Sequence, residues 1–294
     1  MNLPIIDAHH HLWDLGRVHY PWLEDKGGTR FFGQPDPIRR NYLPEDYVND
    51  HNDSIIKSVH IQVGCIPEHN EKETALIQDF ISDGAPIGAI VAAVDVTADN
   101  LEQQLTAQQK HSHVKGVRHM IGKSPCENHL LPEFNSAKWI SGWRQIAQRE
   151  LSFDLQLTEE QYHVVYQALR QVPELNVTIC HFASPWDQSE TGFQRWREAM
   201  VKFASLPNCY FKLSGFVMFN FNFEQKKYLE YAMTAIKLFG AERCMLGSNF
   251  PVDKLHMSFD ELKQSWQHLT TKLENKQAAF ITYKTAQYFY RFTI

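Results

Sequence analysis

The stretch Ile5-Ile6-Asp7-Ala8-His9-His10-His11 decides how this sequence is interpreted. An apolar run that turns directly into histidines is typical of a buried strand that ends in polar groups. Alternate residues of an extended strand share a face, so His9 and His11 are predicted to reach one metal ion or one substrate group together. A hydrogen-bonded histidine cluster with no chemical role is the alternative interpretation of the same pattern.

Seven further segments of this kind follow along the 294 residues, and helical patterns separate most of them. The eight predicted strands cover residues 5–9, 58–63, 87–95, 116–119, 153–157, 177–181, 210–214 and 244–248. Strands that alternate with helices predict a parallel sheet, and eight strands favour a closed (β/α)8 TIM barrel over an open doubly wound sheet. No glycine-rich phosphate loop follows the first strand, which also disfavours the open fold. We predict a single α/β domain over residues 1–294.

Local signals mark the elements between these strands. Thr158 and Gln161 have the spacing of a capping box before a helical pattern, and residues 228–239 form a second helical pattern that ends at Gly240. The long segment 14–42 is rich in glycine and proline and is predicted to be a loop over the mouth of the barrel.

Composition narrows the class of ligand. With 43% hydrophobic residues and a formal charge of −5 from 29 basic and 34 acidic side chains, the chain reads as globular and carries no basic cluster. We therefore expect a small-molecule substrate, with no nucleic acid and no membrane as a partner, and the sequence leaves a homo-oligomer open. Neither a signal peptide nor an apolar window of about 18 residues is present, which predicts a cytoplasmic protein. The cysteines are odd in number and scattered, which predicts reduced thiols at Cys65, Cys126, Cys180, Cys209 and Cys244.

Polar side chains collect where the predicted strands end. In a parallel barrel those carboxyl ends share one face, where the catalytic groups of such enzymes lie. The residues predicted at this face are His9, His11, Gln62, Asp95, Arg118, His119, Gln156, His181, Lys212, Ser214 and Asn249.

Each of these groups has a chemical and a structural interpretation. His181 can add a third neutral imidazole to His9 and His11, and three histidines with a water are a workable zinc site. Arg118 suits a substrate carboxylate, or else a salt bridge at the barrel mouth. A buried Lys212 binds substrate or belongs to a structural ion pair.

The remaining predicted contacts are weaker. Gln62 and His119 are expected to contact substrate beside Arg118, and Trp13 either stacks on the ligand or anchors the entrance loop by packing. Cys180 precedes His181, and strict alternation along the strand predicts that it points outward against the helices.

Several motifs occur together in the order of a known family. They are Asp7-Ala8-His9-His10-His11-Leu12-Trp13-Asp14, Tyr20-Pro21-Trp22-Leu23, Gly116-Val117-Arg118-His119, His181 at a strand end, Lys212-Leu213-Ser214-Gly215 and Gly247-Ser248-Asn249-Phe250-Pro251-Val252. The chain thereby resembles the amidohydrolase-related barrel hydrolases, which include sugar-acid lactonases and 2-pyrone-4,6-dicarboxylate lactonase. The resemblance runs through most of the chain.

This resemblance implies roles for particular residues. It makes His9, His11 and His181 catalytic or metal-binding histidines, with zinc as the expected divalent metal, and Arg118 a substrate-contacting arginine. Asn249 departs from the pattern, because the lactonases carry there an aspartate that serves as general base or metal ligand. An amide hydrogen-bonds but takes no proton near neutral pH, so metal and base are both open, with a histidine or Asp253 as the substitute base.

The sequence therefore predicts a hydrolase that acts on a lactone or related cyclic ester of a small anionic organic acid, with His9, His11, His181 and Asn249 in catalysis. Two alternatives remain. One is a decarboxylase-type lyase, because related barrels of the wider superfamily decarboxylate acids at similar sites. The other is a non-catalytic small-molecule-binding barrel, which the missing carboxylate at Asn249 motivates.

Overall fold

Eight strands form one parallel sheet whose neighbours follow the order of the chain. The computed structural model describes residues 3–121 and 134–294. The strands are β1 Ile6–His10, β2 Lys57–Ile61, β3 Ile87–Ala93, β4 Val114–Arg118, β5 Ser152–Leu155, β6 Val177–Ile179, β7 Cys209–Leu213 and β8 Cys244–Leu246. All eight predicted strands are present, with ends that differ by a few residues. The predicted (β/α)8 barrel is thus confirmed.

Helices occupy most of the chain between the strands. The α-helices are α1 Pro21–Glu24, α2 Pro44–His51, α3 Asn70–Ser82, α4 Leu101–Gln108, α5 Ala137–Gln148, α6 Tyr162–Leu169, α7 Glu190–Ala204, α8 Gln225–Phe239, α9 Phe259–Thr270, α10 Asn275–Ala279 and α11 Thr285–Tyr290, with a π-helical turn at Phe280–Lys284. Short 3-10 turns lie at Asp36–Ile38, Pro67–His69, Glu159–Gln161, His181–Ala183, Phe216–Phe219, Ala241–Arg243 and Asp253–Leu255. No helix among the described residues combines the length and the apolar character that crossing a bilayer requires.

Local signals in the sequence set several helix ends. The predicted capping box is present, since the Thr158 backbone N–H donates to Gln161 Oε1 at 2.9 Å. Ser258 and Glu261 form a second box at the start of α9. Helix α8 ends at Gly240, whose φ of 82° is available to glycine at little cost.

Contacts between β1 and β8 close the barrel. The Asn249 N–H donates to the His9 carbonyl at 2.7 Å and the His11 N–H to the Phe250 carbonyl at 2.8 Å. Nearer the start of β1, the side-chain carboxylate of Asp7 replaces these backbone hydrogen bonds between the two strands. Its Oδ1 accepts from the backbone of Ser248 at 2.8 Å and its Oδ2 from the hydroxyl of the same serine at 2.5 Å.

Asp7 also ties the sheet to helix α2. Its Oδ2 accepts a hydrogen bond from the Tyr47 hydroxyl at 2.6 Å, and its Oδ1 one from the His9 backbone at 3.0 Å. The carboxyl is fully buried, and burial raises its pKa although these four hydrogen bonds oppose the rise. Asp7 is therefore a structural residue of the seam between β1 and β8.

Two apolar clusters pack against the sheet, one on its outer face and one inside the barrel. The larger cluster joins the outward side chains of the sheet to the helices. A separate cluster contains alternate strand residues such as Ile6, Ala8, Val59 and Val91, with Phe289 from α11. Because these strand positions alternate with the outward ones, the second cluster fills the barrel interior. Helix α11 packs against this cluster at the end of the barrel where the strands begin.

Four of the five cysteines are free thiols in the described part of the chain, namely Cys65, Cys180, Cys209 and Cys244. This agrees with the prediction of reduced cysteines. Cys126, which carried the same prediction, lies outside the described residues.

Candidate functional site

A cavity of about 1140 Å³ opens at the carboxyl ends of the strands, bounded by the described residues. It brings together most of the groups that the sequence predicts at this face, from strands far apart in the chain. Those that border it are His11, Trp13, Gln62, Asp95, Arg118, His119, Gln156, His181 and Asn249. His9, Lys212 and Ser214 are fully or nearly fully buried and lie outside the cavity wall.

The three histidines at the end of β1, His9, His10 and His11, divide between the two faces of the sheet. The ring centroids of His9 and His11 lie 5.1 Å apart, whereas His10 stacks on Tyr47 of α2 at 4.3 Å. A register shift between Asp7 and His10 marks an irregularity in the strand. This irregularity lets Ala8 and His9 both face the barrel interior, which strict alternation would not allow. The prediction that His9 and His11 share a side is confirmed.

His11 is held in one tautomer by the backbone of β2. Its Nδ1 lies 2.8 Å from the carbonyl of Ile61, and a carbonyl can only accept, so Nδ1 carries the proton. Burial, with the charge of Arg118 as a further cause, lowers the pKa of His11 to about 3. His11 is therefore neutral, with the lone pair of Nε2 directed at Asn249, whose Oδ1 is 3.3 Å away.

Asn249 links His11 to a buried carboxyl group. Its Nδ2 donates to Asp253 Oδ1 at 2.7 Å, and burial raises the pKa of Asp253 well above its ordinary value. If the amide is turned by 180°, Nδ2 donates to the lone pair of His11 and Oδ1 accepts from protonated Asp253, so that every group has a partner. In that arrangement Asp253 stores a proton and is not the base.

His181 reaches the cavity because the chain leaves β6 abruptly. Residues His181, Phe182, Ala183 and Ser184 all have φ between 51° and 60°. The His181 Nδ1 lies 3.0 Å from the Ser214 hydroxyl, and Gly215 leaves the necessary room, since a Cβ there would approach Nδ1 to 2.5 Å. Burial and then the charge of Arg118 lower the pKa of His181 well below its ordinary value.

The same turn corrects the prediction for Cys180. Its Sγ lies 3.8 Å from Asp154 Oδ2, inside the barrel and not against the helices. The prediction assumed that His181 continues the strand and faces inward, which would force Cys180 outward. Because His181 has a φ of 54°, it turns inward out of phase, and the regular alternation gives the inward position to Cys180.

Arg118 presents a buried cation to the cavity with unused hydrogen-bonding capacity. Its Nη2 donates to the Gln62 carbonyl at 2.5 Å, whereas Nε is buried without a partner among the described residues. The neighbouring side-chain oxygen Oε1 of Gln62 also lacks a partner there. The salt bridge that was the alternative for Arg118 is absent from the described part of the chain. A guanidinium in this state suits a ligand carboxylate.

Lys212 forms an ion pair beneath the cavity, in place of the predicted contact with substrate. Its Nζ lies 2.5 Å from Asp154 Oδ2, 2.7 Å from the Ala8 carbonyl and 3.4 Å from His9 Nδ1. The Tyr290 hydroxyl donates to the same carboxylate at 2.8 and 3.0 Å. No motif in the sequence marks Asp154 or Tyr290, although a lysine inside a barrel is a signal that a buried acid must be near.

The entrance loop forms one wall of the cavity, as predicted, through Pro21, Trp22, Arg30, Phe31 and Phe32. Trp13 borders the cavity too, but it is fully buried and its Nε1 donates to the Arg40 carbonyl at 2.6 Å. These contacts give Trp13 the character of a loop anchor. Arg30 was missed by the sequence analysis, because no pattern distinguishes it from other loop arginines. His119, the other predicted contact, is partly exposed, and its Nδ1 accepts from the Val96 backbone at 3.2 Å.

The three predicted histidines are the right type of ligand for zinc, but their donor atoms are not spaced as a zinc site requires. Zinc–nitrogen bonds of 2.0–2.1 Å place tetrahedral ligand atoms about 3.3 Å apart. His9, His11 and His181 are neutral imidazoles, and His9 Nε2 is buried without a described partner. Among the described residues, however, the one group of donors that comes within 4.8 Å of one another is His9, Asp154 and Cys180. The Lys212 ammonium already contacts two of these three, so the residues as placed do not fit a metal ion.

Comparisons with known proteins agree with this architecture. A family model described as "Amidohydrolase" matches residues 6–292. An uncharacterized protein of Sinorhizobium fredii, y4mH, is 33% identical over 298 residues, which is 99% of both chains. L-fucono-1,5-lactonase of Burkholderia multivorans is 25% identical over 268 residues, 87% of this chain and 85% of the lactonase. The crystal structure of a Burkholderia multivorans amidohydrolase with bound zinc superposes with a TM-score of 0.81 at 22% identity, covering 99% of this chain and all of that one.

Proposed function

This chain belongs to the amidohydrolase family, and on that premise we propose that it hydrolyses the lactone of a small, carboxylate-bearing organic acid. The observation that carries the proposal is the buried guanidinium of Arg118, which faces the cavity with Nε unpartnered among the described residues. The similarity to L-fucono-1,5-lactonase supports the lactone as the reacting group.

The charges around the cavity favour an anion. Arg118 and Lys212 are two buried cations, and the nearby carboxylate of Asp154 is engaged by Lys212 at 2.5 Å. Asp253 has a raised pKa, which disfavours a second negative charge, and residue 249 is an amide. A substrate carboxylate would supply the missing charge, and pairing it with Arg118 offsets the desolvation of both groups.

The lactone then lies between Arg118 and the histidines. We assign His181 as the base: its Nε2 takes a proton from a water as the water oxygen bonds to the lactone carbonyl carbon. The ring C–O bond breaks, and the leaving alkoxide receives the proton back from His181. The product is the open-chain hydroxy acid.

Substrate binding itself strengthens this base. The charge of Arg118 is a cause of the lowered pKa of His181, second after burial. A substrate carboxylate on Arg118 offsets that charge, so His181 accepts a proton more readily in the complex than in the free protein. His11 and Asn249 border the same space, and their hydrogen-bonding groups orient the water. Gln62 and His119 complete the proposed substrate contacts.

A screen of sugar-acid and dicarboxylate lactones in ¹⁸O-labelled water tests the proposal. We expect one ¹⁸O in the product, and a kcat about 10²- to 10⁴-fold lower for His181→Ala, because that change removes the base. His163→Ala, at an exposed histidine, is the matched control and should keep wild-type turnover. Equal turnover by wild type and His181→Ala would remove His181 from the mechanism.

The same screen separates two alternatives. Release of carbon dioxide without ¹⁸O incorporation would indicate a decarboxylase-type lyase. A binding protein without activity is favoured by one observation, namely the amide of Asn249 in place of a carboxylate. If the wild type hydrolyses none of the lactones and Asn249→Asp creates turnover, the native chain is not a lactone hydrolase of the kind that carries aspartate at this position.

The sequence predicts zinc at His9, His11 and His181, and metal removal tests that prediction against the geometry. Because these donors do not close around one ion as placed, we expect lactone turnover to survive treatment with a chelator, with less than one zinc per chain in elemental analysis. One tightly bound zinc per chain, with activity lost on chelation and restored by added zinc, would contradict this expectation.

A further inference from the structure

The ammonium of Lys212 has a complete set of hydrogen-bond partners inside the barrel. It is wholly buried, and three groups lie within hydrogen-bonding distance: Asp154 Oδ2 at 2.5 Å, the Ala8 carbonyl at 2.7 Å and His9 Nδ1 at 3.4 Å. An ammonium has three protons to donate and no lone pair with which to accept. Three donors thus meet three neighbours, and each neighbour must accept.

This count determines the tautomer of His9. A carboxylate and a carbonyl always accept, but an imidazole nitrogen accepts only if it carries no proton. A proton on His9 Nδ1 would set two donors against each other at 3.4 Å. The Nδ1 of His9 is therefore the lone-pair nitrogen, and the proton of the neutral ring is on Nε2.

Asp154 and Tyr290 keep the ammonium in this position. The carboxylate accepts from Lys212 with one oxygen, and the Tyr290 hydroxyl lies 2.8 Å from Oδ1 and 3.0 Å from Oδ2. The Tyr290 ring also lies beneath the ammonium, at 5.2 Å from Nζ. Lys212, Asp154 and Tyr290 are all fully buried, so water does not compete for the ammonium.

We infer that Lys212 is a positioning residue that fixes His9 as a hydrogen-bond donor at Nε2. The His9 ring lies beside the two histidines that border the cavity, at 5.1 Å from His11 and 4.3 Å from His181 between ring centroids. Its Nε2 is buried and has no partner among the described residues. Directly behind the cavity wall, His9 thus presents an N–H group that suits an oxygen atom, and not a lone pair that suits a cation.

The inference rests on the proposed function only for its effect on catalysis. An N–H dipole behind His11 and His181 stabilises negative charge that develops on the lactone oxygen, and it does so more in the transition state than in the ground state. Loss of Lys212 should therefore appear in kcat more than in KM.

Nuclear magnetic resonance of ¹⁵N-labelled protein tests the tautomer without any substrate. Two-bond ¹H–¹⁵N correlations distinguish the protonated ring nitrogen from the other, and His9→Gln assigns the signals by their loss. We expect the wild type to show a protonated Nε2 and an unprotonated Nδ1. The opposite tautomer in the wild type would overturn the inference.

A pair of variants tests the role of Lys212. In Lys212→Met with Asp154→Asn, both charges of this ion pair are removed together, so neither partner is left buried without the other. We expect this double variant to lose the fixed tautomer and to lower kcat about tenfold or more, with KM changed less than about threefold. Tyr288→Phe, at an exposed tyrosine of the same helix α11, is the matched control, because Tyr288 points to solvent and the contact between Lys212 and His9 does not involve it.

The outcomes separate the two proposals. A double variant that retains the wild-type tautomer of His9 would show that Lys212 does not set it. The expected spectra with no lactone turnover would uphold the inference and reject the proposed reaction. If the double variant does not fold, the wild-type spectrum still decides, because a proton on Nδ1 of His9 contradicts the assignment.

Discussion

Replacing Arg118 with methionine is expected to lower kcat/KM for a carboxylate-bearing lactone by roughly 10²- to 10³-fold. The reason is that truncating one partner of a buried, hydrogen-bonded charge pair costs about 2–5 kcal/mol, or roughly 30- to 5,000-fold, and the expected loss lies in the middle of that range. Arg118 is almost completely buried, and in the described part of the chain no acid pairs with it, so the substrate is its expected partner. Steady-state kinetics of the purified variant measure the effect.

Two comparisons isolate the carboxylate contact from general damage to the site. A lactone of similar size without a carboxylate should lose much less with Arg118→Met, because it never used the guanidinium. Arg170→Met, at an exposed arginine of the outer surface, should behave as wild type on both substrates. Equal losses on the charged and the uncharged lactone would show that Arg118 supports the structure and does not bind the carboxylate.

Asp7→Leu is expected to reduce the free energy of unfolding by roughly 2–6 kcal/mol, because each of two buried N–H groups loses its acceptor at a cost of about 1–3 kcal/mol. Those groups are the backbone N–H of His9 and of Ser248, which both donate to Asp7 Oδ1. Domains are stable by only about 5–15 kcal/mol, so much of the stability is at risk. Urea-induced unfolding followed by circular dichroism measures the loss.

Asp7→Asn is the matched control and should cost less than about 1 kcal/mol. Its Oδ1 keeps both backbone donors, and its Nδ2 can donate to the hydroxyl oxygens of Tyr47 and Ser248, which now donate to Asp7 Oδ2. Burial raises the pKa of Asp7 above 3.8, so the wild type loses stability as the pH rises through the folded-state pKa. The Asn variant should therefore compare more favourably with wild type above the folded-state pKa of Asp7 than below it. A loss as large as that of the Leu variant would show that the negative charge itself is required.

The features that follow from the residue pattern within one segment could be predicted from the sequence. Apolar runs ending in polar residues located all eight strands, and the strand ends located His11, Arg118 and His181 at one cavity. The pairing of Lys212 with Asp154 could not be predicted, because it depends on how β5 and β7 are staggered around the barrel. Cys180 was assigned to the wrong face for a similar reason, since the left-handed backbone of His181 leaves no mark in the residue pattern.

The seam between β1 and β8 has a consequence for synthesis on the ribosome. Asp7 and Ser248 are 241 residues apart, so β1 leaves the exit tunnel long before its partner β8 is made. Until then β1 has one unpaired edge, and such edges invite association with other chains. Completion of the barrel therefore waits until β8 has been synthesised.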